Sequence, residues 1–534
     1  MLTREDIFKN ADQQTIWQKY CGFLDLSLRE FMDIQEGLLM EQIELVENSP
    51  LAQKLMNNNK PRNIEEFRRV VPLTTYWQDY APYIGKEGQE ASLASKPILW
   101  AHTSGRGGGF KWVPWMQRAL ERYADAAMAG LILACANRKG EVNVKERGRF
   151  LFILAPPPYI SGISAWAVVD RFNLQVIPPP EISAKLEFQE RIELGFKMAL
   201  SSGVDFVGAV STALVKVGET MAERSQGISL SLYMLRPLVL LRLARAWFYA
   251  KRERRPMLPK DLWPVKGLSC GGTDTIIYRE KLKYYWGKLP HEIYGLTEAG
   301  MMAMQSWTKK DLTFYPFLAF FEFIPEEEWL RSREDKEYQP RTLLLDEVEA
   351  GKIYEIVITN FYGMPLLRYR PGDLVKITSL EDKEAGIRIP QMNFFSRADY
   401  LIDLYSIVRL DERTVWQAID DTKIDYEDWS ARKEYEGSLP ILRIYIEPKG
   451  EIEKQKLEHL IHRNLQAINP LYTEAIEEMG TNPVKVTLLS KGSFQYYYEA
   501  KRKEGADLAH LKPPHMNATD VAIQALVQGN EEKV

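Results

Sequence analysis

Apolar residues recur at helical spacing between residues 13 and 48, through Ile16, Tyr20, Phe23, Leu26, Phe31, Ile34 and Leu38, which predicts one or two amphipathic helices. The run Asn57-Asn58-Asn59-Lys60-Pro61-Arg62-Asn63 breaks that pattern, and residues 67–85 show no sustained period and read as irregular. Beyond residue 110, strands and helices alternate. Helices are expected at 116–136, 187–201 and 228–252, and strands at 149–154, 204–210, 265–270 and 292–294. That rhythm predicts an α/β layered domain with a largely parallel sheet. From about Phe314 the pattern changes to strands and turns, at 320–325, 354–359, 366–369 and 374–377. Past Asp403 a smaller α+β unit is expected: a helix at 412–419, strands at 429–435 and 441–446 joined by a hairpin at 437–440, helices across 453–478 and a strand at 484–489. The tail, 519–528, reads as a short helix with Thr519 as N-cap and Gly529 past its end.

A chain of 534 residues exceeds what one hydrophobic core organises, so at least two domains are expected. Hydrophobic residues make up 45% and charged residues 27%, an ordinary globular profile. A net charge of −4 offers no field for a polyanion and argues against nucleic acid as a partner. Cys21, Cys135 and Cys270 are scattered and odd in number, which suggests free thiols in a reducing compartment. The first residues carry no signal-peptide block, and a cytoplasmic, soluble protein is expected. The most apolar long segment, 228–250, is interrupted by Arg236, Arg242 and Arg245, so it reads as a buried or membrane-surface helix and not a span.

Candidate chemistry begins at Thr103-Ser104-Gly105-Arg106-Gly107-Gly108-Gly109-Phe110-Lys111, where four glycines in five residues leave the backbone free to approach a ligand. Bare N–H groups in such a stretch form an anion-binding concavity to which Arg106 and Lys111 add charge. Phe110 before the lysine excludes a Walker A loop and spoils a dinucleotide fingerprint. A tight glycine turn between two strands is the alternative. The six histidines make no HExxH site, and His459 and His462 on a charged helix read as a solvated face. Ser269-Cys270-Gly271-Gly272 and Tyr294-Gly295-Leu296-Thr297-Glu298 each close a strand, where open α/β sheets bind ligands. Arg368-Tyr369-Arg370-Pro371-Gly372-Asp373 turns tightly and presents a carboxylate.

The order of these stretches resembles the adenylate-forming superfamily of acyl-CoA synthetases and adenylation domains. Within it, the sequence is similar to the Gretchen Hagen acyl-acid amido synthetases, the plant auxin-responsive family with bacterial relatives. The likeness runs from about residue 60 to 516 and includes Phe67-x-x-x-Val71-Pro72-Leu73, Leu262-Trp263-Pro264, Phe321-Glu322-Phe323-Ile324-Pro325 and Leu367-Arg368-Tyr369-Arg370-x-Gly372-Asp373. It implies a large α/β domain of layered sheets and helices at 1–398, a hinge at 399–403, a mobile α+β domain at 404–516 and a helical tail at 517–534. It also implies a ligase that activates a carboxylic acid with ATP and Mg²⁺, releasing pyrophosphate, and passes the acyl group to an amine or thiol. Thr103, Ser104, Gly105, Arg106, Gly107, Gly108 and Lys111 would then hold the β- and γ-phosphates, while Gly271 and Gly272 would flank adenine, beside Tyr294. Thr297 would contact the α-phosphate, Glu298 would ligate Mg²⁺, Asp373 would bind the ribose hydroxyls and Arg397 would sit at the nucleotide. Asp399 matches the hinge, and Lys512 matches a C-terminal lysine that reaches the active site. Arg397 and Asp399 also fit a local ion pair.

Where the family carries hydroxyls after its first loop glycine, this chain has Arg106 and Gly107. An arginine holds phosphate bidentately with charge-assisted bonds, which favours an altered but working site. Three readings follow: an acyl-acid amido synthetase, an acyl- or aryl-CoA ligase of the same fold, and a nucleotide-binding protein that has lost catalysis.

Overall fold

Helix formation at the start of the chain follows from its caps as much as from its period. The computed structural model describes residues 4–103, 110–186, 188–224, 236–271, 275–335, 337–398, 401–404, 408–436, 439–479, 482–503 and 515–531. It carries the expected amphipathic helices at Gln13–Cys21 and Leu28–Val46. Asp12 accepts from the Thr15 N–H at the first, and Ser27 and Glu30 form a reciprocal capping box at the second. Donors that a helix leaves unpaired at its start are thereby satisfied. The stretch expected to be irregular is largely helical: Ile64–Val70 forms a helix capped by Asn63, and Ala81–Ile84 another. Seven and four residues are too few for a period to show.

Eleven strands form one mixed sheet in the order β10-β11-β12-β13-β9-β8-β7-β6-β5-β3-β4. In chain order they are β3 (Arg149–Ile153), β4 (Gln175–Ile177), β5 (Phe206–Val210), β6 (Gly267–Gly271), β7 (His291–Leu296), β8 (Gly300–Gln305), β9 (Leu312–Phe314), β10 (Ala319–Pro325), β11 (Ile353–Asn360), β12 (Asp373–Ser379) and β13 (Gln391–Arg397). Ahead of them β1 (Leu99–His102) and β2 (Trp112–Trp115) pair antiparallel as a separate ribbon. The expectation of a largely parallel sheet holds for one side only. Pairings from β4 to β7 are parallel, whereas β7-β8, β8-β9, β9-β13 and β10-β11 are antiparallel. The short strands β8 and β9 had no clear alternation, and antiparallel pairing enters through them. Residues 366–369 are not a strand. Only Tyr369 pairs there, as isolated bridges to Ile358 and Thr74.

The helix Gln117–Cys135 is buried over nearly its whole surface, which its Ala-rich sequence permits. The long helix expected from 228 is described from Pro237 to Arg252. Cys21, Cys135 and Cys270 are buried and none is in a disulfide. Among the described residues no helix is long and apolar enough to cross a membrane.

The chain divides into two compact units. Phe110–Pro371 and Val375–Phe394 belong to the first with the chain up to Thr103, and Gly372–Leu374 belong to the second with the chain from Phe395. Within the second, β14 (Ile402–Leu404) pairs with β15 (Val408–Leu410), and β16 (Tyr426–Glu436), β17 (Leu439–Pro448) and β18 (Val484–Leu488) form a three-stranded sheet. β16 and β17 pair with Glu436 opposite Leu439, so Leu439 and Pro440 of the expected hairpin connection belong to β17, and residues 437–438 lie outside the described residues. Helices Glu412–Asp420 and Lys454–Ile468 pack on this sheet through Val415, Ile419, Leu457, Ile461 and Leu465. The tail helix Asp520–Glu531 is capped by Thr519 as expected but continues through Gly529. His462 is only half-exposed: its Nδ1 lies 2.7 Å from the Tyr472 hydroxyl, and burial lowers its pKa.

Candidate active site

The ribbon β1–β2 brings Thr103 and Lys111 together on either side of residues 104–109. The Thr103 N–H donates to the Lys111 carbonyl at 3.1 Å, and the Lys111 N–H donates to Thr103 Oγ1 at 3.2 Å. Both readings of the glycine-rich stretch, as turn and as phosphate cradle, are compatible with this closed neck. Below it His102 packs among Phe110, Trp112 and Tyr159, and its N–H donates to the Pro158 carbonyl. Ser104, Gly105, Arg106, Gly107 and Gly108 lie outside the described residues, as do Gly272, Asp399 and Lys512.

From this neck Lys111 reaches a buried polar cluster. Its Nζ donates to the Tyr369 hydroxyl at 2.9 Å and lies 3.5 Å from Glu298 Oε1. Tyr369 in turn donates to the same Glu298 oxygen at 2.9 Å. The ammonium also sits 5.7 Å from the Tyr76 ring centroid and 5.6 Å from that of Tyr369, a favourable setting for a cation. Tyr76 fixes the next residue along, since its hydroxyl accepts from the Trp112 N–H at 2.7 Å. Burial, together with the Glu298 charge, pushes the Tyr76 phenol up to about 12, so it stays a neutral donor.

Glu298 is placed by the tight link between β7 and β8. Gly300 takes φ +75° there, and a Cβ would also strike the Tyr123 ring at 2.7 Å. At Gly295 a Cβ would lie 2.7 Å from the Gly300 carbonyl oxygen, so both glycines are needed for so close a turn. Two more bonds hold the turn: Trp115 Nε1 donates to the Thr297 carbonyl at 3.3 Å, and Asn360 Nδ2 donates to that of Glu298 at 2.8 Å. Strand β7 is parallel to β6 on one side and antiparallel to β8 on the other, so this turn leaves the carboxyl end of a strand where the sheet changes sense. Ligands bind at such ends in open α/β sheets.

The motif around Tyr369 divides by alternate residues. Arg368 is buried and donates to both oxygens of Glu322 on β10, at 2.8 and 3.0 Å, and to the carbonyls of Arg68 and Val71. Arg370 makes a second two-pronged pair with Glu355 on β11. These arginines clamp the segment and Tyr369, between them, carries the contact to the site. Arg368 holds φ +44°, a strained conformation for a non-glycine residue that its network over-determines.

The structure thus gathers Thr103, Lys111, Thr297 and Glu298 in the first unit. Gly271 ends β6, next to β7, and Tyr294 is buried on β7 with its ring stacked on Phe394. In the second unit Asp373 is buried and paired with Arg397 at 3.0 Å. Arg397 thus pairs with a residue 24 positions upstream, while the local pair with Asp399 offered as the alternative lies outside the described residues. Tyr369, Tyr76, Asn360 and Trp115 were not anticipated. The run Arg368-Tyr369-Arg370, a phenol set between two cations, was the available signal.

Comparison with known proteins bears on the same residues. Residues 21–163 match the GH3 family N-terminal domain and residues 312–397 the GH3 family central domain. These two stretches carry the likeness to the GH3 family. Lys111 falls in the first matched stretch, and Tyr369, Asp373 and Arg397 fall in the second. The jasmonoyl-L-amino acid synthetase GH3.5 of Oryza sativa subsp. japonica is 26% identical over 47% of this chain and 46% of its own length. The indole-3-acetic acid-amido synthetase GH3.10 of Arabidopsis thaliana is 25% identical over 50% and 48%. The chain spans about half the length of the curated relatives it matches. In three dimensions it resembles the AtGH3.15 acyl acid amido synthetase in complex with 2,4-DB, with TM-score 0.67, 18% identity and coverage of 99% and 98% of the two chains. A 2-hydroxyisobutyryl-CoA ligase is similar at TM-score 0.62 and 13% identity, covering 95% and 94%. The fold is that of the adenylate-forming ligases.

Proposed function

We propose that this chain activates a carboxylic acid with ATP, forming an acyl-adenylate and pyrophosphate, and then transfers the acyl group to an amino acid or a similar amine. The observation that carries this reading is the buried Lys111–Tyr369–Glu298 cluster at the neck of the glycine-rich stretch. Attack of a carboxylate on the α-phosphate brings negative charges together, so the barrier falls through neutralisation and in-line positioning and needs no covalent nucleophile. Lys111 supplies a fixed positive charge, Thr297 a hydroxyl toward the α-phosphate, and residues 103–108 would cradle the leaving pyrophosphate. Gly271, Gly272 and Tyr294 would receive adenine, and Asp373, oriented by Arg397, the ribose hydroxyls. Residues 399–403 would act as the hinge between domains 1–398 and 404–516, with Lys512 acting from the smaller one and 517–534 as tail. Three buried thiols agree with a reducing compartment such as the cytoplasm.

The acidic residue fits Mg²⁺. Glu298 Oε1 is taken by Tyr369 and Lys111, whereas Oε2 has no hydrogen-bond partner among the described residues. One carboxylate oxygen completed by phosphates suits a small hard cation. Bound there, Mg²⁺ would neutralise phosphate charge.

The test is pyrophosphate release with ATP, a panel of aryl and alkyl acids, and the twenty amino acids, with products identified by mass spectrometry. Acid-dependent release and an amide product are expected. A thioester formed with CoA in place of the amide would replace the acceptor, and ATP binding without release under any pairing would overturn the reading. The double variant Arg106→Thr with Gly107→Ser is expected to lower release. Unchanged release would remove Arg106 from the phosphate site.

A further inference from the structure

The helix Pro237–Arg252 buries its small side chains and exposes its large ones. Val239, Ala246 and Ala250 are buried, the two alanines within the core that also holds Val207, Leu268 and Trp286. Leu238, Leu241, Trp247 and Phe248 are between 56% and 68% exposed, with Leu240 and Tyr249 also on the surface. Leu238, Leu241, Arg245, Phe248 and Arg252 follow one another at helical spacing on the outer face, flanked by Leu240, Ala244, Trp247 and Lys251. This is an amphipathic helix turned the wrong way for a protein surrounded by water on that side.

Charge on the same face is of one sign. There is no carboxylate between Arg236 and Arg252. Arg245 lies 5.6 Å from the Tyr249 ring and Lys251 4.7 Å from the Trp247 ring, so cations rim the aromatic patch. Arg242, by contrast, turns inward and donates to backbone carbonyls of Ala199 and Leu200. The whole chain carries a net charge of −4, so this patch is positive against the balance of the molecule.

We propose that the outer face of Pro237–Arg252 is a docking surface for an anionic lipid membrane, on which the helix lies in the interfacial plane. Leucine and phenylalanine enter the headgroup boundary, tryptophan and tyrosine settle at its polar edge, and the surrounding arginines and lysine meet lipid phosphates. A second copy of the chain fits less well, because its identical patch would bring like charges together. This inference is independent of the acid-activating chemistry.

The full chain is sedimented with vesicles of phosphatidylcholine alone and with vesicles containing about one-third phosphatidylserine. Binding to the anionic vesicles alone is expected, falling as salt is raised. Leu241→Glu with Phe248→Glu, and separately Arg245→Glu with Lys251→Glu, are each expected to weaken it by about tenfold or more, with unchanged unfolding midpoints because these residues are exposed. As a check that needs no destabilising variant, tryptophan emission should shift to the blue with anionic vesicles and lose that shift in Trp247→Phe. Failure to bind anionic vesicles, or equal binding to both compositions, overturns the proposal. So does self-association without lipid that the same variants abolish, or a shift that survives Trp247→Phe.

Discussion

Two charged clusters take neighbouring residues, Arg368 in one and Tyr369 in the other, and behave in opposite ways. Around Arg368 the accounting is closed: Glu322 takes two of its donors, backbone carbonyls take others, and both side chains are almost completely buried. Around Lys111 it is open: the lysine is 20% exposed, and Glu298 keeps one oxygen without a partner among the described residues. A closed cluster has nothing left to offer a ligand and serves the fold. An open one holds charges in place that are still available. The difference teaches that burial of an ion pair says little about its role until its donors and acceptors are counted.

Substitutions can separate the two. The largest effect is expected for Arg368→Ala, which strands Glu322 without its partner and should cost the first unit about 3–5 kcal/mol in a denaturant titration. A loss below about 1 kcal/mol would erase the contrast. A third cluster, in the second unit, is closed but titrates. Burial alone would lower the pKa of His515, yet Asp428 and Glu412 outweigh it and raise the group to about 9. Its contribution is therefore present below the unfolded value near 6.5 and disappears as pH rises through 9, on the order of 3 kcal/mol in all. His515→Gln should flatten that pH dependence in the unfolding of the second unit. At the open cluster, Glu298→Gln keeps the bond from Tyr369 and removes the charge. Pyrophosphate release should fall about a hundredfold, with stability changed by less than about 1 kcal/mol. The smallest effect belongs to Tyr369→Phe, about fivefold on release, as the hydroxyl's bonds to Lys111 and Glu298 are lost while the ring stays under the ammonium. If Glu298→Gln instead unfolded the protein and left release per folded molecule unchanged, the open cluster would be structural as well.

Much of this arrangement was legible in the sequence. Lys111, Thr297 and Glu298 stand in punctuated stretches at strand ends, and the alternation of strands and helices placed those ends in an α/β domain. What escaped was long-range. Tyr369 meets Lys111 across 258 positions of chain, and no local pattern encodes that meeting. The mixed sense of the sheet escaped for the same reason, because β8 carries no apolar–polar alternation, β9 is three residues long, and their direction is set by which strands they pair with. Residues 366–369 were apolar enough to suggest a strand, yet Arg368 sits at positive φ and interrupts the extended backbone. Pro237–Arg252 was legible as apolar and cationic but not as inverted, because periodicity alone does not say which face a fold covers.

The three cysteines carry a practical consequence. Cys21 closes an N-terminal helix, Cys135 ends the most buried helix, and Cys270 sits in β6 beside Gly271. Burial raises the first thiol well above its ordinary value and pushes the second up to about 12, and only thiolates react with alkylating reagents. Cys21 and Cys135 are therefore silent until their neighbourhoods open, and burial alone shields Cys270. Timed alkylation of the native protein, read peptide by peptide, would time the opening of the first unit at three separate places, one of them at the strand end where adenine is proposed to bind.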